Sequence, residues 1–289
     1  MTARILDGKS IAMMLEEALA KQSAALEKRA GRKPGLFVVL VGDDPASAVY
    51  VRNKTRACAR TGVNCFESIL PASTSQDELL GIIDEANARE DVDGILVQLP
   101  LPAHICAEAV IDRIAPEKDV DGFHMLSAGA LLTGQRTLGF RPCTPMGVMK
   151  LIEEAGIDPA GKNVLVIGRS NIVGKPLAIM LLEKHATVTI AHSRTTDLKT
   201  LARNADIIVA AAGRIGLVTG DMIKPGALVI DVGTNRKPDG KLTGDVDFAA
   251  ALEVAATVTP VPGGVGPMTI AMLMKNTVES AERRLAQLP

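Results

Sequence analysis

The stretch "VLVIGRSNIVGKP", from Val164 to Pro176, decides how this chain is read. Val164–Ile167 is a short apolar run of the kind that forms a buried strand. It enters a turn holding Gly168, Ser170 and Gly174, and "GKPLAIMLLEKH" then follows with helical periodicity. Strand, glycine turn and helix in this order build a dinucleotide-binding start. Glycine lets backbone N–H groups approach a pyrophosphate, and the helix N-terminus favours negative charge there. The spacing Gly168-x-Ser170-x-x-x-Gly174 departs from GxGxxG, and such turns also join strand to helix for packing alone. The end of the next strand refines the reading. An NAD-binding unit usually carries Asp or Glu at that place, to accept from the ribose hydroxyl. Here stand His192, Ser193, Arg194 and Thr195, with no carboxylate before Asp197. A hydroxyl and a guanidinium suit a 2′-phosphate, and Arg169 adds a second cation, so the spacing favours NADP over NAD.

Outward from this loop the chain alternates. "KNVLVIG", "TVTIAH", "DIIVAAAG" and "ALVIDVG" read as strands separated by helical segments. The first half repeats the pattern, with strands in "GLFVVLVG", "VNCFESIL" and "DGILVQLPLP" and helices in "GKSIAMMLEEALAKQSAALEKRAG", Pro45–Thr61 and "SQDELLGIIDEANARE". Strands separated by helices imply parallel sheets, and the fold class is α/β with βα alternation in two domains, the second Rossmann-type. Asp44 is placed as N-cap of the second helix with Gly62 past its end, and Ser75 with Glu78 reads as a capping box. "APEKDVDGFHMLSAGALLTGQRTLGFRPCTP" has Gly and Pro punctuation and no long periodic segment, so it reads as the crossing between domains. The expected division is a catalytic domain over 1–140, completed by the C-terminal helix of 267–289, and a nucleotide domain over 141–266.

Composition narrows the function. Net charge is −1 over 289 residues, which leaves no basic surplus for a nucleic-acid backbone. No apolar run reaches membrane-spanning length and no N-terminal signal core is present, so the expectation is a cytoplasmic protein with no membrane partner. Cys58, Cys65, Cys106 and Cys143 form no CxxC pair and no zinc spacing with the four histidines, so no metal is expected and the cysteines read as free thiols. Neither HExxH nor GxSxG occurs.

"SAVYVRNKTRACARTG", Ser47 to Gly62, contains the chain's single tyrosine, Tyr50, four residues before Lys54. At about 100° per residue the two lie about 40° apart on a helix. Ser47, Val51, Ala57, Cys58 and Thr61 share their side, whereas Arg52, Arg56 and Arg60 form an opposite, solvated stripe. One lysine is thus set among small and apolar neighbours. An inward lysine either snorkels to water or has a depressed pKa and works as acid or base. Tyr50 offers a flat ring on which a heteroaromatic ligand can stack. Short-chain dehydrogenases also use Tyr-x-x-x-Lys, but there the nucleotide loop comes first; here it follows by more than a hundred residues.

Together the motifs "SAVYVRNKTRACARTG", "DGILVQLPLP", "PEKDVDGFH", "RPCTPMGV", "VIGRSNIVGKP", "HSRT", "DVGTN", "GDVDF" and "TPVPGGVGPMT" resemble the bifunctional methylenetetrahydrofolate dehydrogenase/cyclohydrolase family, in family order over nearly the whole chain. The resemblance implies NADP-dependent oxidation of 5,10-methylenetetrahydrofolate, hydrolysis of the methenyl product to 10-formyltetrahydrofolate, a homodimer, and a cleft between the two domains. It implies that Tyr50 stacks on the folate, Lys54 is the main acid/base group, Gln98 hydrogen-bonds Lys54, and Asp121 anchors the pterin. Ser47, Pro262, Gly263 and Gly264 are implied to line the folate site. Gly168, Arg169, Ser170, Gly174, Ser193, Arg194 and Thr234 are implied to face NADP, with Ile215 at the nicotinamide. Without an evident base partner, Cys143 does not read as a nucleophile, and His124 reads as structural.

Overall fold

A computed structural model of the chain describes residues 2–135 and 137–286. The first half runs β1 (Arg4–Ile5), α1 (Gly8–Ala30), β2 (Gly35–Val41), α2 (Pro45–Thr61), β3 (Asn64–Leu70), α3 (Gln76–Ala88), β4 (Gly94–Val97), α4 (Ala107–Arg113), α5 (Met125–Leu132) and α6 (Cys143–Glu154). The second runs β5 (Asn163–Ile167), α7 (Gly174–Leu182), β6 (Thr187–Ala191), α8 (Leu198–Asn204), β7 (Ile207–Ala210), β8 (Leu228–Asp231), β9 (Asn235–Arg236), β10 (Leu242–Thr243), α9 (Phe248–Val254), β11 (Thr257–Val258) and α10 (Val265–Leu285).

Two compact units result. One comprises Met13–Cys143 and the chain from Ile270 on; the other comprises the chain up to Ala12 and Thr144–Thr269. The first holds a parallel sheet in the order β3-β2-β4. The second holds a six-stranded sheet in the order β1-β11-β8-β7-β5-β6, every ladder parallel. Parallel neighbours cannot be joined by a tight turn, so helices make the crossovers. Helices on both faces bury the central strands, which is why β2, β7 and β8 are apolar and buried nearly throughout.

Local chemistry sets the helix ends. The Asp44 carboxylate accepts from Ser47 N at 2.8 Å, and Gly62 closes α2 in the left-handed region at φ 72°. Ser75 and Glu78 form a reciprocal capping box on α3. Leu79, Ile83 and Ala86, one stripe of α3, then pack on Val39 and Ile95 of the sheet.

The division differs from the sequence expectation at the N-terminus. Residues assigned there to the catalytic domain supply β1, which pairs with β11 and extends the six-stranded sheet. A two-residue strand has no periodicity by which to be read. The expected crossing segment also differs. It remains in the three-stranded unit as far as Cys143 and contains α5, eight residues of small and apolar side chains. α4, two turns long, has no counterpart in the sequence reading.

One buried carboxylate ties this unit's termini to its sheet. Asp93, fully buried, accepts from Arg32 Nη1 and Nη2 at 2.7 and 2.8 Å, from Gly35 N at 2.9 Å and from Arg284 Nη1 at 2.8 Å. Asp93→Ala strips two guanidiniums and a buried N–H of their acceptor and is expected to cost about 3 kcal/mol, toward the low end for buried pairs because both arginines keep some access to water. Urea unfolding checks this; a loss below about 1 kcal/mol would show a weak hub.

Candidate active site and nucleotide loop

In the three-stranded sheet the chain leaves the central strand β2 toward β3 and returns on the opposite flank at β4. Ligands of open α/β sheets bind outside the strands' carboxyl ends at such a switch point. α2 starts just past the end of β2, and Gln98 directly follows β4. Sequence spacing had put Tyr50 and Lys54 on the inward side of α2. Lys54 is 7% exposed, Tyr50 is half-buried, and Arg52, Arg56 and Arg60 are exposed. Arg60 is more than a solvated charge, for its guanidinium reaches the buried Glu16 of α1 at 2.5 and 2.8 Å.

Lys54 Nζ donates to Gln98 Oε1 at 2.9 Å. Gln98 is oriented from two sides. Its backbone N–H donates to Val39 O at 2.8 Å, and its Nε2 donates to Leu99 O at 2.6 Å, which leaves Oε1 for the lysine. Burial pulls the Lys54 ammonium below its ordinary value, and the nearby Asp121 carboxylate opposes the shift. Burial likewise raises Asp121, with Lys54 opposing. Desolvation wins for both, so each is driven toward its neutral form. Cys143 lies in the same electrostatic neighbourhood. Burial, then the Asp121 charge, push its thiol well up, and its Sγ meets Val120 O at 3.3 Å. A thiol held protonated is a poor nucleophile. His124 Nδ1 accepts from Leu126 N at 3.0 Å and caps α5, a structural task.

The loop presenting Asp121 is braced by residues the sequence reading did not single out. Lys118 Nζ donates to Ala86 O, Asn87 O and Arg89 O at 3.2, 2.7 and 2.7 Å, closing the end of α3. Burial lowers this lysine to about 8. The Asp119 carboxylate takes Phe123 N, His124 N and Ser127 Oγ at 3.2, 2.8 and 2.9 Å, and burial raises it to about 6. Asn276 Nδ2 donates to Val120 O at 2.8 Å, and Ser280 Oγ to Glu117 O at 2.8 Å, both from α10. The motif "PEKDVDG" thus spends Lys118 and Asp119 on holding Asp121 in place. Ser47 is also occupied: its hydroxyl donates to Asp44 at 2.8 Å, which makes it part of the α2 cap.

In the six-stranded sheet the chain leaves β5 toward β6 and resumes on the other flank of β5 at β7. Gly168 follows β5 at this second switch point. Its φ is 133°, and a Cβ there would stand 2.2 Å from Ala211 O, the residue after β7. Gly174 is equally bound to be glycine, because a Cβ would stand 2.1 Å from Gly168 O. Ser170 Oγ accepts from Val173 N at 3.2 Å and Gly174 N at 3.4 Å, with its own hydrogen left to donate. Arg169, Ser193, Arg194 and Thr234 are exposed, and Ile215 is 49% exposed. Two cations, a hydroxyl and the start of α7 at a glycine turn fit the phosphates of a dinucleotide. Pro262, Gly263 and Gly264 belong to this unit and clasp the start of α1: Lys9 N donates to Gly263 O at 2.9 Å, and a Cβ on Gly8 would stand 2.0 Å from Gly264 O. Among the described residues no group of three or more His, Cys, Asp or Glu could hold a metal, and no helix is long and apolar enough to cross a membrane.

Comparison with known families assigns a separate model to each half of the chain. Residues 6–121 match the model of the tetrahydrofolate dehydrogenase/cyclohydrolase catalytic domain, and residues 142–285 match that of the NAD(P)-binding domain. The chain belongs to the tetrahydrofolate dehydrogenase/cyclohydrolase family. It is 59% identical over 286 residues to the Bifunctional protein FolD of Burkholderia orbicola, covering 99% of each. Among solved structures, it superposes on the bifunctional FolD enzyme of Campylobacter jejuni with a TM-score of 0.94 at 48% identity, over 98% of this chain and 99% of that one. The methylenetetrahydrofolate dehydrogenase-cyclohydrolase of Trypanosoma brucei, solved with NADP and an inhibitor, gives a TM-score of 0.96 at 41% identity, over 100% of each chain. This family chain therefore carries its catalytic model on the unit that holds Lys54, Gln98 and Asp121.

The lowered Lys54 value predicts a stability signature. Between its folded value and the ordinary lysine value of about 10.4, the unfolded chain binds more protons, so wild-type stability gains with rising pH. Lys54→Met lacks that gain. Its unfolding free energy relative to wild type is therefore expected to fall as pH rises from 7 to about 10. Parallel urea-derived profiles would show a lysine that titrates normally.

Proposed function

We propose that the chain is a bifunctional enzyme of one-carbon metabolism. It oxidises 5,10-methylenetetrahydrofolate to the methenyl cation with NADP and hydrolyses that cation to 10-formyltetrahydrofolate. The observation that carries this reading is the buried Lys54 ammonium held by an oriented Gln98 beside Asp121, at the sheet's switch point. A regulatory nucleotide-binding module has no use for such a lysine.

Tyr50 stacks on the folate ring system, and Asp121 accepts from the pterin N–H groups. Both fix the one-carbon unit relative to Lys54. The first reaction needs alignment more than a base, because the flanking nitrogen lone pairs stabilise the cation as hydride leaves. NADP supplies the hydride acceptor. Gly168, Arg169, Ser170 and Gly174 would hold its phosphates, Ser193 and Arg194 its 2′-phosphate, and Ile215, with Thr234 nearby, would face the nicotinamide half. The second reaction needs a proton taken from water and one delivered to the leaving nitrogen. Lys54 does both: burial keeps a neutral fraction available as base, and the resulting ammonium, oriented by Gln98, returns the proton. The family resemblance also assigns Pro262, Gly263 and Gly264 to folate.

The same reading takes the protein as a cytoplasmic homodimer. Four free thiols suit a reducing compartment, and Ile69, Met13 and Met14, exposed by 67%, 50% and 59% on the three-stranded unit, suit burial against a second copy.

Lys54→Met is expected to lower cyclohydrolase turnover by about 10²- to 10⁴-fold, with a smaller loss in the dehydrogenase. Separate assays of the two half-reactions decide it; equal losses would make Lys54 a binding residue. Arg194→Ala is expected to raise the KM for NADP by about tenfold and leave that for NAD in place. An unchanged NADP/NAD ratio would put the 2′-phosphate elsewhere.

A further inference from the structure

Two buried carboxylates at the carboxyl edge of the six-stranded sheet have no part in the chemistry above. Asp231 ends β8 and is 4% exposed; Asp245 is fully buried. Asp231 accepts from Gly233 N at 3.0 Å, Asp245 N at 2.9 Å and Val246 N at 2.9 Å. That fixes the backbone at Asp245. The Asp245 carboxylate in turn accepts from Ala212 N, Gly213 N and Arg214 N at 2.6, 2.9 and 2.8 Å, and from Asn235 Nδ2 at 2.8 Å. Its carbonyl takes Val218 N at 3.0 Å. The loop after β7 is therefore tethered at both ends by one residue, with Ile215 between the tethers. The Asn235 bond joins the same carboxylate to the loop after β8, next to Thr234. Space enforces the arrangement: a Cβ on Gly233 would stand 2.2 Å from Asp245 Oδ1, and one on Gly244 1.8 Å from Asp231 Oδ2.

Successive backbone N–H groups that converge form a concave anion site, which elsewhere receives phosphate. Here a side chain of the same protein fills it. Three successive donors of the loop after β7 are thus spent internally, and Ile215 stands exposed directly after them. We propose that Asp245 is a positioning residue for the dehydrogenase step: it touches no substrate, and it locks the loops after β7 and β8 together so that Ile215 and Thr234 hold the nicotinamide half of the cofactor in place. This inference rests on the dehydrogenase reading given above.

Asp245→Asn keeps the volume but turns one acceptor into a donor facing N–H groups. The expected result is a dehydrogenase kcat lower by about 10²-fold and an NADP Kd, by calorimetry, raised about tenfold, because loop misplacement of the order of an ångström costs that much in a hydride transfer. The cyclohydrolase, which needs no nucleotide, keeps its rate. The amides of Ala212, Gly213 and Arg214 exchange faster with deuterium. Equal losses in both activities would make Asp245 a fold residue, and unchanged exchange at the three amides would overturn the inference outright. Should Asp245→Asn fail to fold, Asn235→Ala severs only the link between the loops and is expected to show the same split, smaller in size; no split overturns it. A wild-type protein without dehydrogenase activity would refute the functional reading, and amide exchange with NADP calorimetry would then judge the role of Asp245 alone.

Discussion

Parallel strand pairing is the constraint from which the rest follows. It forbids tight connections, sends most crossovers through a helix, and collects all strand carboxyl ends on one edge of each sheet. In each unit the chain then reverses its direction of winding once, beside β2 and beside β5. The segments that splay apart there hold the groups to which the proposal gives chemistry: Lys54 on α2 and Gln98 after β4 at one sheet, the Gly168 turn and the loop of Ile215 at the other.

Polar groups buried at these edges need partners, and the chain provides them in layers. Lys54 has Gln98, and Gln98 has Val39 O and Leu99 O. Asp121 stands on a loop fastened by Lys118, Asp119, Asn276 and Ser280. The loop of Ile215 hangs on Asp245, which hangs on Asp231. The groups assigned to ligand are in each case the outer members of a hydrogen-bonded chain whose inner members do no chemistry. Such support is what keeps a site within the tolerance that catalysis demands.

Much of this was legible in the linear chain. The period of the α2 side chains placed Lys54 inward, because a helical face is a local property of i, i+3 and i+4 spacing. The capping residues Asp44, Ser75 and Gly62 were readable for the same reason. β1, α4 and α5 were not: the two residues of β1 carry no period, α4 is two turns long, and α5 is small and apolar on all its sides. Asp231, Asn235 and Asp245 lay in the motifs "DVGTN" and "GDVDF", yet nothing local assigns one carboxylate to N–H groups some thirty residues away.

The sequence by itself determined the α/β class, the parallel alternation, the glycine turn with its cations, and the family. All of these rest on spacing and residue type within short windows. Tertiary structure decided that β1 joins the sheet of the other unit, that Gln98 turns its oxygen to Lys54, that Ser47 serves the α2 cap, and that burial outweighs the mutual attraction of Lys54 and Asp121. Those outcomes depend on which atoms meet after folding and on how much water is left between them, and neither is written in any single stretch of the chain.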